Sequence, residues 1–348
     1  MSEHVRVVIA GAGRFGALHA RVWREAGADL AGVVDLDPAR SAAFAETWGA
    51  EHHGTDLSEI IVDAEPDIVV IASDETAHTE LALAALAAGR HVFMEKPFAM
   101  SVEDALGTVD AAQRAGREVI AGHISRFAEP YRAMRQALTA GRIGDLWSLR
   151  LRRDFSRQWF EDFGGRVDPV WESCIHDIDV ALSFVRRPAT RVYASRSEAA
   201  GANAPSVVSA IVEFAGGAMA TIETAWTIPE GAPQTESGAL ALPGAIIAEA
   251  EAHGSTGVMR QRLQNDGLTV WNNAGSWSPN AFLWPVSGDR VGGAIRAEVE
   301  HALGVVRGAH GNTEMPMIEA VWGIAIAEAM TRSLETGAPE VPRNEGRL

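Results

Sequence analysis

Residues 5–16, VRVVIAGAGRFG, constrain the fold more than any other stretch. A β-branched apolar run ends in Gly11-Ala12-Gly13-Arg14-Phe15-Gly16, and a helix-compatible segment with apolar Phe15, Leu18, Ala20 and Val22 follows. Strand, tight turn and helix in that order open a dinucleotide-binding βαβ unit, in which the first glycine permits the turn. The second lets a pyrophosphate approach the backbone, and the third lets the helix pack closely on the strand. The helix N-terminus then offers free N–H groups and a favourable dipole to an anion. Taken alone, a glycine-rich turn is weak evidence. Asp35 strengthens it, standing 19 positions after Gly16 at the end of the next expected strand, where a carboxylate accepts both adenosine ribose hydroxyls. The same charge repels a 2′-phosphate, so NAD is the expected cofactor, with NADP as the alternative if Arg40 swings toward it.

The alternation continues with strands expected over 30–35, 68–72 and 91–94 and helices over 38–48 and 78–88. Strands separated by helices imply right-handed crossovers and a parallel sheet covered on both faces. After about Gly122 the strands lengthen, alternate, and follow one another over 146–153, 191–197, 206–214 and 218–227, the last two joined by Ala215-Gly216-Gly217. Helices over 294–306 and 318–335 would close the chain, with a loosely held tail after Gly337. With 348 residues, two cores are expected. The fold class is an α/β Rossmann domain over 1–122, then an α+β substrate-binding and oligomerisation domain over 123–348 with a large, mostly antiparallel open sheet.

Charge and cysteine content exclude several functions. A formal net charge of −16 repels nucleic acid and anionic membranes. Cys174 is the only cysteine, so neither an intrachain disulfide nor a C-x-x-C site can form. No secretory signal pattern or bilayer-length apolar run is present, and a cytoplasmic location is expected. No metal is expected.

Two further clusters carry chemistry. Glu95-Lys96-Pro97 follows the strand HVFM and so leaves the carboxyl end of a parallel strand, where open α/β sheets bind ligands. Read physically, it is either such a site or a surface charge pair before a turn. Glu172, His176 and Asp179 share one face if 172–185 is an ordinary helix. There a histidine flanked by acids could exchange a proton near neutral pH, or simply sit in a helix start. The arginines between 150 and 166 stand out in an acidic chain. Alternation puts Arg153 on the apolar face with Leu149 and Leu151. Arg126, Arg153 or Arg157 is a candidate for substrate hydroxyls or an acidic substituent, and Trp159 for a sugar-ring face; surface pairing is the competing reading.

Together these elements resemble the Gfo/Idh/MocA family, the sugar and cyclitol dehydrogenases related to glucose-fructose oxidoreductase and inositol dehydrogenase. The resemblance rests on the glycine motif with His19 after it, Glu95-Lys96-Pro97, Gly122 with Arg126-Phe127, His176-x-x-Asp179, and the closing segment 333–342. It implies a cofactor side formed by Gly11, Gly13, Arg14, Phe15, Gly16 and Asp35 with Ser73, His78, Glu95 and Lys96. It also implies that Lys96 hydrogen-bonds the reacting oxygen and that His176 takes its proton, with Glu172 and Asp179 beside them. The expected activity is NAD(P)-dependent oxidation of a secondary hydroxyl of a monosaccharide, sugar acid or cyclitol. The alternatives are reduction of a non-sugar carbonyl or imine and a non-catalytic cofactor-binding regulator. The family's open sheet face implies a homodimer or homotetramer. Glu172 replaces the family's usual aspartate, Cys174 its small glycine, and Ser73-Asp74-Glu75-Thr76-Ala77-His78 its T-P-N-x-x-H segment.

Overall fold

The computed structural model describes residues 4–197, 206–236, 238–242, 244–262, 270–273, 275–279 and 281–343. They form two compact units, Met1–Ile124 with Val286–Val321, and Ser125–Pro285 with Trp322–Leu348.

In the first unit, β1 (Arg6–Ala10), α1 (Arg14–Glu25), β2 (Asp29–Val34), α2 (Pro38–Trp48), β3 (His52–Gly54), α3 (Leu57–Ala64), β4 (Ile68–Ile71), α4 (His78–Ala87), β5 (His91–Glu95), α5 (Val102–Ala115) and β6 (Val119–Gly122) alternate along the chain. The strands form one sheet in the order β3-β2-β1-β4-β5-β6, and every pairing is parallel. All four residues of β4 are fully buried, as helices on both faces require. Asp37 and Asp56 start α2 and α3 by accepting backbone N–H bonds, and Ser101 starts α5 in the same way, caps worth about 1 kcal/mol each.

The second unit holds α6 (Glu129–Thr139), β7 (Leu146–Ser156), α7 (Arg157–Phe163), a π-helical turn at Val170–Cys174, α8 (Ile175–Val185), β8 (Ala189–Arg196), β9 (Val207–Phe214), β10 (Met219–Ile228), β11 (Gln234–Glu236) of a separate small sheet, β12 (Ile246–Gly254) and β13 (Val258–Arg262). The large sheet runs β13-β12-β7-β10-β9-β8. It is mixed, because β7 and β10 are parallel while the other pairs are antiparallel. One face is core, with Leu149, Leu151, Ala194, Val208, Val212, Ile222 and Ala250 buried. On the other, cross-strand charges meet, including Arg150 with Glu251, Arg152 with Glu223 and Arg262 with Glu249.

Two expectations need correction. The helix expected in the second domain, α9 (Gly293–Val306), belongs to the first unit. There Arg296 donates to the Glu25 carbonyl at 3.1 Å, and the Val291 N–H bonds the Glu25 carboxylate at 2.8 Å, so the end of α1 anchors a segment some 270 positions away. The tail expected to be loosely held is tied down at Glu340, and its last residues, 344–348, lie outside the described residues. After α10 (Met317–Thr336), Glu340 exchanges both backbone hydrogen bonds with Val192 of β8 at 2.7 and 2.8 Å. Among the described residues no helix is long and apolar enough to cross a membrane.

Candidate active site

In the first unit the expected cofactor residues converge at the carboxyl ends of the parallel strands. Gly11 has φ +111°, and a Cβ there would lie 2.5 Å from the Ala72 carbonyl oxygen. A Cβ on Gly16 would lie 1.9 Å from the Gly11 oxygen, so the third glycine of the motif sets how closely α1 approaches the loop. Gly13 faces open space. It starts α1 with no side-chain cap and no acidic residue in the first turn. The Gly13-Arg14-Phe15 segment is exposed. A helix N-terminus without a side-chain cap, an open glycine and a nearby carboxylate fit a dinucleotide diphosphate and ribose. That carboxylate is Asp35, which accepts from the Ala12 N–H at 2.9 Å and the Asp37 N–H at 3.0 Å. Arg40 does turn toward it, at 3.5 Å.

Lys96 leaves β5 beside Glu95, and the Lys96-Pro97 peptide is cis. His19 of α1 donates Nε2–H to Glu95 at 2.7 Å. Burial alone would raise the Glu95 pKa, but the His19 hydrogen bond and the charges of His19 and Lys96 outweigh it and hold the carboxyl below its usual value. His78 braces the loops on this side: its Nδ1 bonds the Pro97 carbonyl at 2.9 Å, and its Nε2 lies 3.4 Å from the Ser73 carbonyl. Asp74, one of the two acids that replace the family's T-P-N segment, turns into its own loop and bonds the Thr76 hydroxyl at 2.6 Å and its N–H at 3.2 Å.

In the second unit, Glu172 does not sit on a continuous α-helix with His176. It lies in the π turn, and His176 follows in the first turn of α8. π turns concentrate at functional positions because they rotate the side chains that follow. Glu172 and His176 are half-buried, whereas Asp177 and Asp179 are buried. Asp179 receives Arg126 Nε and Nη2 at 2.8 and 2.7 Å, and Asp177 receives Arg153 Nε and Nη2 at 3.1 Å each. Arg153 also reaches the Ser125 hydroxyl at 3.3 Å. Arg126, Arg153 and Asp179, expected to touch substrate, are thus engaged in two buried ion pairs that hold α8 from below. Asp177 and Ser125 went unseen, because no local pattern marks a partner 24 or 28 positions distant. Buried Tyr131, near Arg153, is pushed up to about 12 by burial and keeps its proton at neutral pH.

Trp159 lies in the interior of this unit. It is 6% exposed and stacks on Phe155 with ring centroids 4.6 Å apart, in a cluster with Trp226 and Ile246. Trp226 in turn donates to Ser173 of the π turn at 2.8 Å. Cys174 is buried there, and burial raises its thiol pKa well above the ordinary value, which makes it a packing residue. Arg157 stays exposed at the start of α7. Lys96 carried a signal that motif reading passed over: it is the only lysine among 30 Lys and Arg residues. Among the described residues no three His, Cys, Asp or Glu side chains are grouped to hold a metal ion.

A family model described as an oxidoreductase family with an NAD-binding Rossmann fold matches residues 5–123. The GFO/IDH/MocA C-terminal domain matches residues 131–260. Inositol 2-dehydrogenase 2 of Saccharopolyspora erythraea is 37% identical over 181 residues, 51% of this chain and 52% of that protein. The 1,5-anhydro-D-fructose reductase of Ensifer adhaerens is 31% identical over 231 residues, 60% of this chain and 66% of that protein. The matches therefore span about half to two thirds of these relatives' length. The structure of scyllo-inositol dehydrogenase from Lactobacillus casei, with NAD(H) and scyllo-inositol bound, superposes with a TM-score of 0.82. That likeness, at 21% identity, covers 97% of this chain and 99% of that one and establishes a shared fold.

Proposed function

The chain belongs to the Gfo/Idh/MocA family of oxidoreductases, with an NAD-binding Rossmann domain, and from that premise we propose that it oxidises a secondary hydroxyl of a monosaccharide, sugar acid or cyclitol. The observation that carries the reading is the carboxyl end of the parallel sheet, where the α1 N-terminus follows β1, the Asp35 carboxylate follows the adjacent β2, and Lys96 follows β5, two places along the sheet from β1. Gly11, Gly13 and the α1 N-terminus are to hold the diphosphate, and Asp35 the adenosine ribose. The dinucleotide, when bound, supplies the two-electron oxidant.

The protein's own groups handle the proton. Lys96 is to donate a hydrogen bond to the reacting oxygen and stabilise negative charge on it. His176 is to accept the hydroxyl proton as the carbonyl forms and return it in the reverse direction, with Glu172 beside it. Exposed Arg157 is the remaining candidate for an acidic or hydroxylated substituent. The relative named a reductase favours testing both directions. The open charged face of the mixed sheet is proposed as a homodimer or homotetramer contact, as the family resemblance implies.

The test is fluorescence titration with NADH and NADPH, followed by turnover on a panel of polyols, sugar acids and their carbonyl forms. Saturable NADH binding stronger than NADPH, with turnover of a polyol, is expected; tight binding without turnover of any panel member would favour a regulator. Asp35 should decide the preference. Asp35→Asn removes the charge that repels a 2′-phosphate while keeping an acceptor for the Ala12 N–H, and Arg40 stands 3.5 Å away to meet the phosphate. The NADH-to-NADPH ratio of Kd values should move toward NADPH by about tenfold or more, about 1.4 kcal/mol per decade.

A further inference from the structure

We infer that buried His19 and partly buried Glu95 form a positioning dyad that fixes the direction of Lys96, so that α1, the helix proposed to bind the diphosphate, also aims the lysine. The inference rests on the role proposed for Lys96 and assigns it a support.

Every other basic Lys or Arg position in the chain is arginine. A guanidinium is a rigid, planar fork, whereas an ammonium is a compact point charge on a flexible stem with three rotatable donors. Such a stem aims at one oxygen only if its base is held. At Lys96 the base is held by Glu95, whose two carboxylate oxygens are divided between two neighbours. Oε1 accepts from His19 Nε2 at 2.7 Å, and Oε2 accepts the Lys96 backbone N–H at 3.3 Å.

The carboxylate has little room to turn. Glu95 pairs with Gly122 of β6, and a Cβ on Gly122 would lie 3.0 Å from Glu95 Cα and 3.3 Å from its carboxyl carbon. On the opposite side the His19 ring is fully buried and packs edge-on against Phe93, with centroids 5.1 Å apart. The ring therefore cannot follow a moving carboxylate. The negative charge itself is retained despite burial, as the lowered Glu95 pKa records. A pair that merely stabilised the domain would give α1 a buried hydrogen bond and leave Lys96 indifferent to its loss.

The solitary lysine makes the distinction measurable. Protein labelled with 13C at lysine Cε gives one side-chain lysine resonance, and it is compared among wild type, His19→Leu, His19→Gln and Glu95→Gln. Gln Nε2 can occupy the place of His19 Nε2, so His19→Gln should keep the wild-type line. His19→Leu should move or broaden it, and Glu95→Gln, which leaves a single acceptor oxygen for the two donors of His19 and Lys96 and removes the charge, should do the same. In turnover, His19→Leu should lose about ten- to hundredfold in kcat with NADH Kd unchanged, since a displacement near 1 Å can cost about that much, and His19→Gln should recover most of it. An unchanged lysine line in both folded His19→Leu and Glu95→Gln overturns the dyad. If His19→Leu does not fold, Glu95→Gln against His19→Gln decides alone. Lines that shift as expected in a protein that turns over no panel substrate would uphold the dyad and sink the proposed activity instead.

Discussion

Replacing His176 by alanine should lower kcat by about 10²–10⁴-fold, the usual contribution of a positioned general acid or base, while NADH binding stays within about twofold. His176 is proposed as proton acceptor over several other titratable groups of the second unit. Asp177 and Asp179 flank the histidine on α8, yet each receives two nitrogens of a buried arginine. Cys174 is buried with a raised pKa, and Tyr131 is pushed up to about 12. Half-buried His176, brought into the first turn of α8 directly after a π turn, and half-buried Glu172 within that turn are the titratable groups left near the surface of this segment. Steady-state kinetics of His176→Ala and Glu172→Gln on one turned-over polyol, beside NADH titrations, check the assignment. Turnover surviving in His176→Ala at more than about a tenth of wild type would move the proton to another group.

What the sequence disclosed follows the range of the interactions involved. The glycine loop, Asp35 and the strand carrying Lys96 are local patterns, and they lie where strand-turn-helix chemistry puts them. The alternation in β7 also turned Arg153 inward correctly. What Arg153 meets there depends on Asp177, a contact made by the fold and absent from any local window, so the inward arginine read as a substrate ligand. The burial of Trp159 escaped for a similar reason: α7 folds back at Ser156 and stacks it on Phe155. The π turn escaped because widening one helical turn by a residue leaves no mark in the composition of ESCIH. β12 escaped because IIAEAEAHG alternates alanine with charge, and alanine has weak strand preference. β3 has three residues, too few for periodicity. The return of α9 to the first unit is a long-range event fixed by Glu25 and Arg296. The His19-Glu95 bond was visible only as two separate family motifs, with nothing to say that 76 positions of chain close between them.

Arg153→Ala should destabilise the protein by about 3–5 kcal/mol, because it strands the Asp177 carboxylate without its buried partner. At roughly 2–4 °C per kcal/mol for a unit of this size, Tm should fall by about 10 °C. The KM of the folded enzyme should stay near wild type, which separates an ion pair beneath α8 from a residue that contacts substrate. Burial raises the Asp177 pKa even against the pull of Arg153, so the carboxylate is already held at a cost, and removing the guanidinium takes away both hydrogen bonds that offset it. The Ser125 hydroxyl, 3.3 Å from Arg153, loses a donor as well. The double variant Arg153→Met with Asp177→Leu removes both charges and should regain most of the lost Tm, since a well-packed apolar pair often matches a buried ion pair. Differential scanning calorimetry of the three proteins, with KM measured well below each transition, distinguishes the roles. A KM raised tenfold at unchanged Tm would return Arg153 to the substrate pocket, whereas a fallen Tm rescued by the double variant would fix it as the support on which His176 is carried.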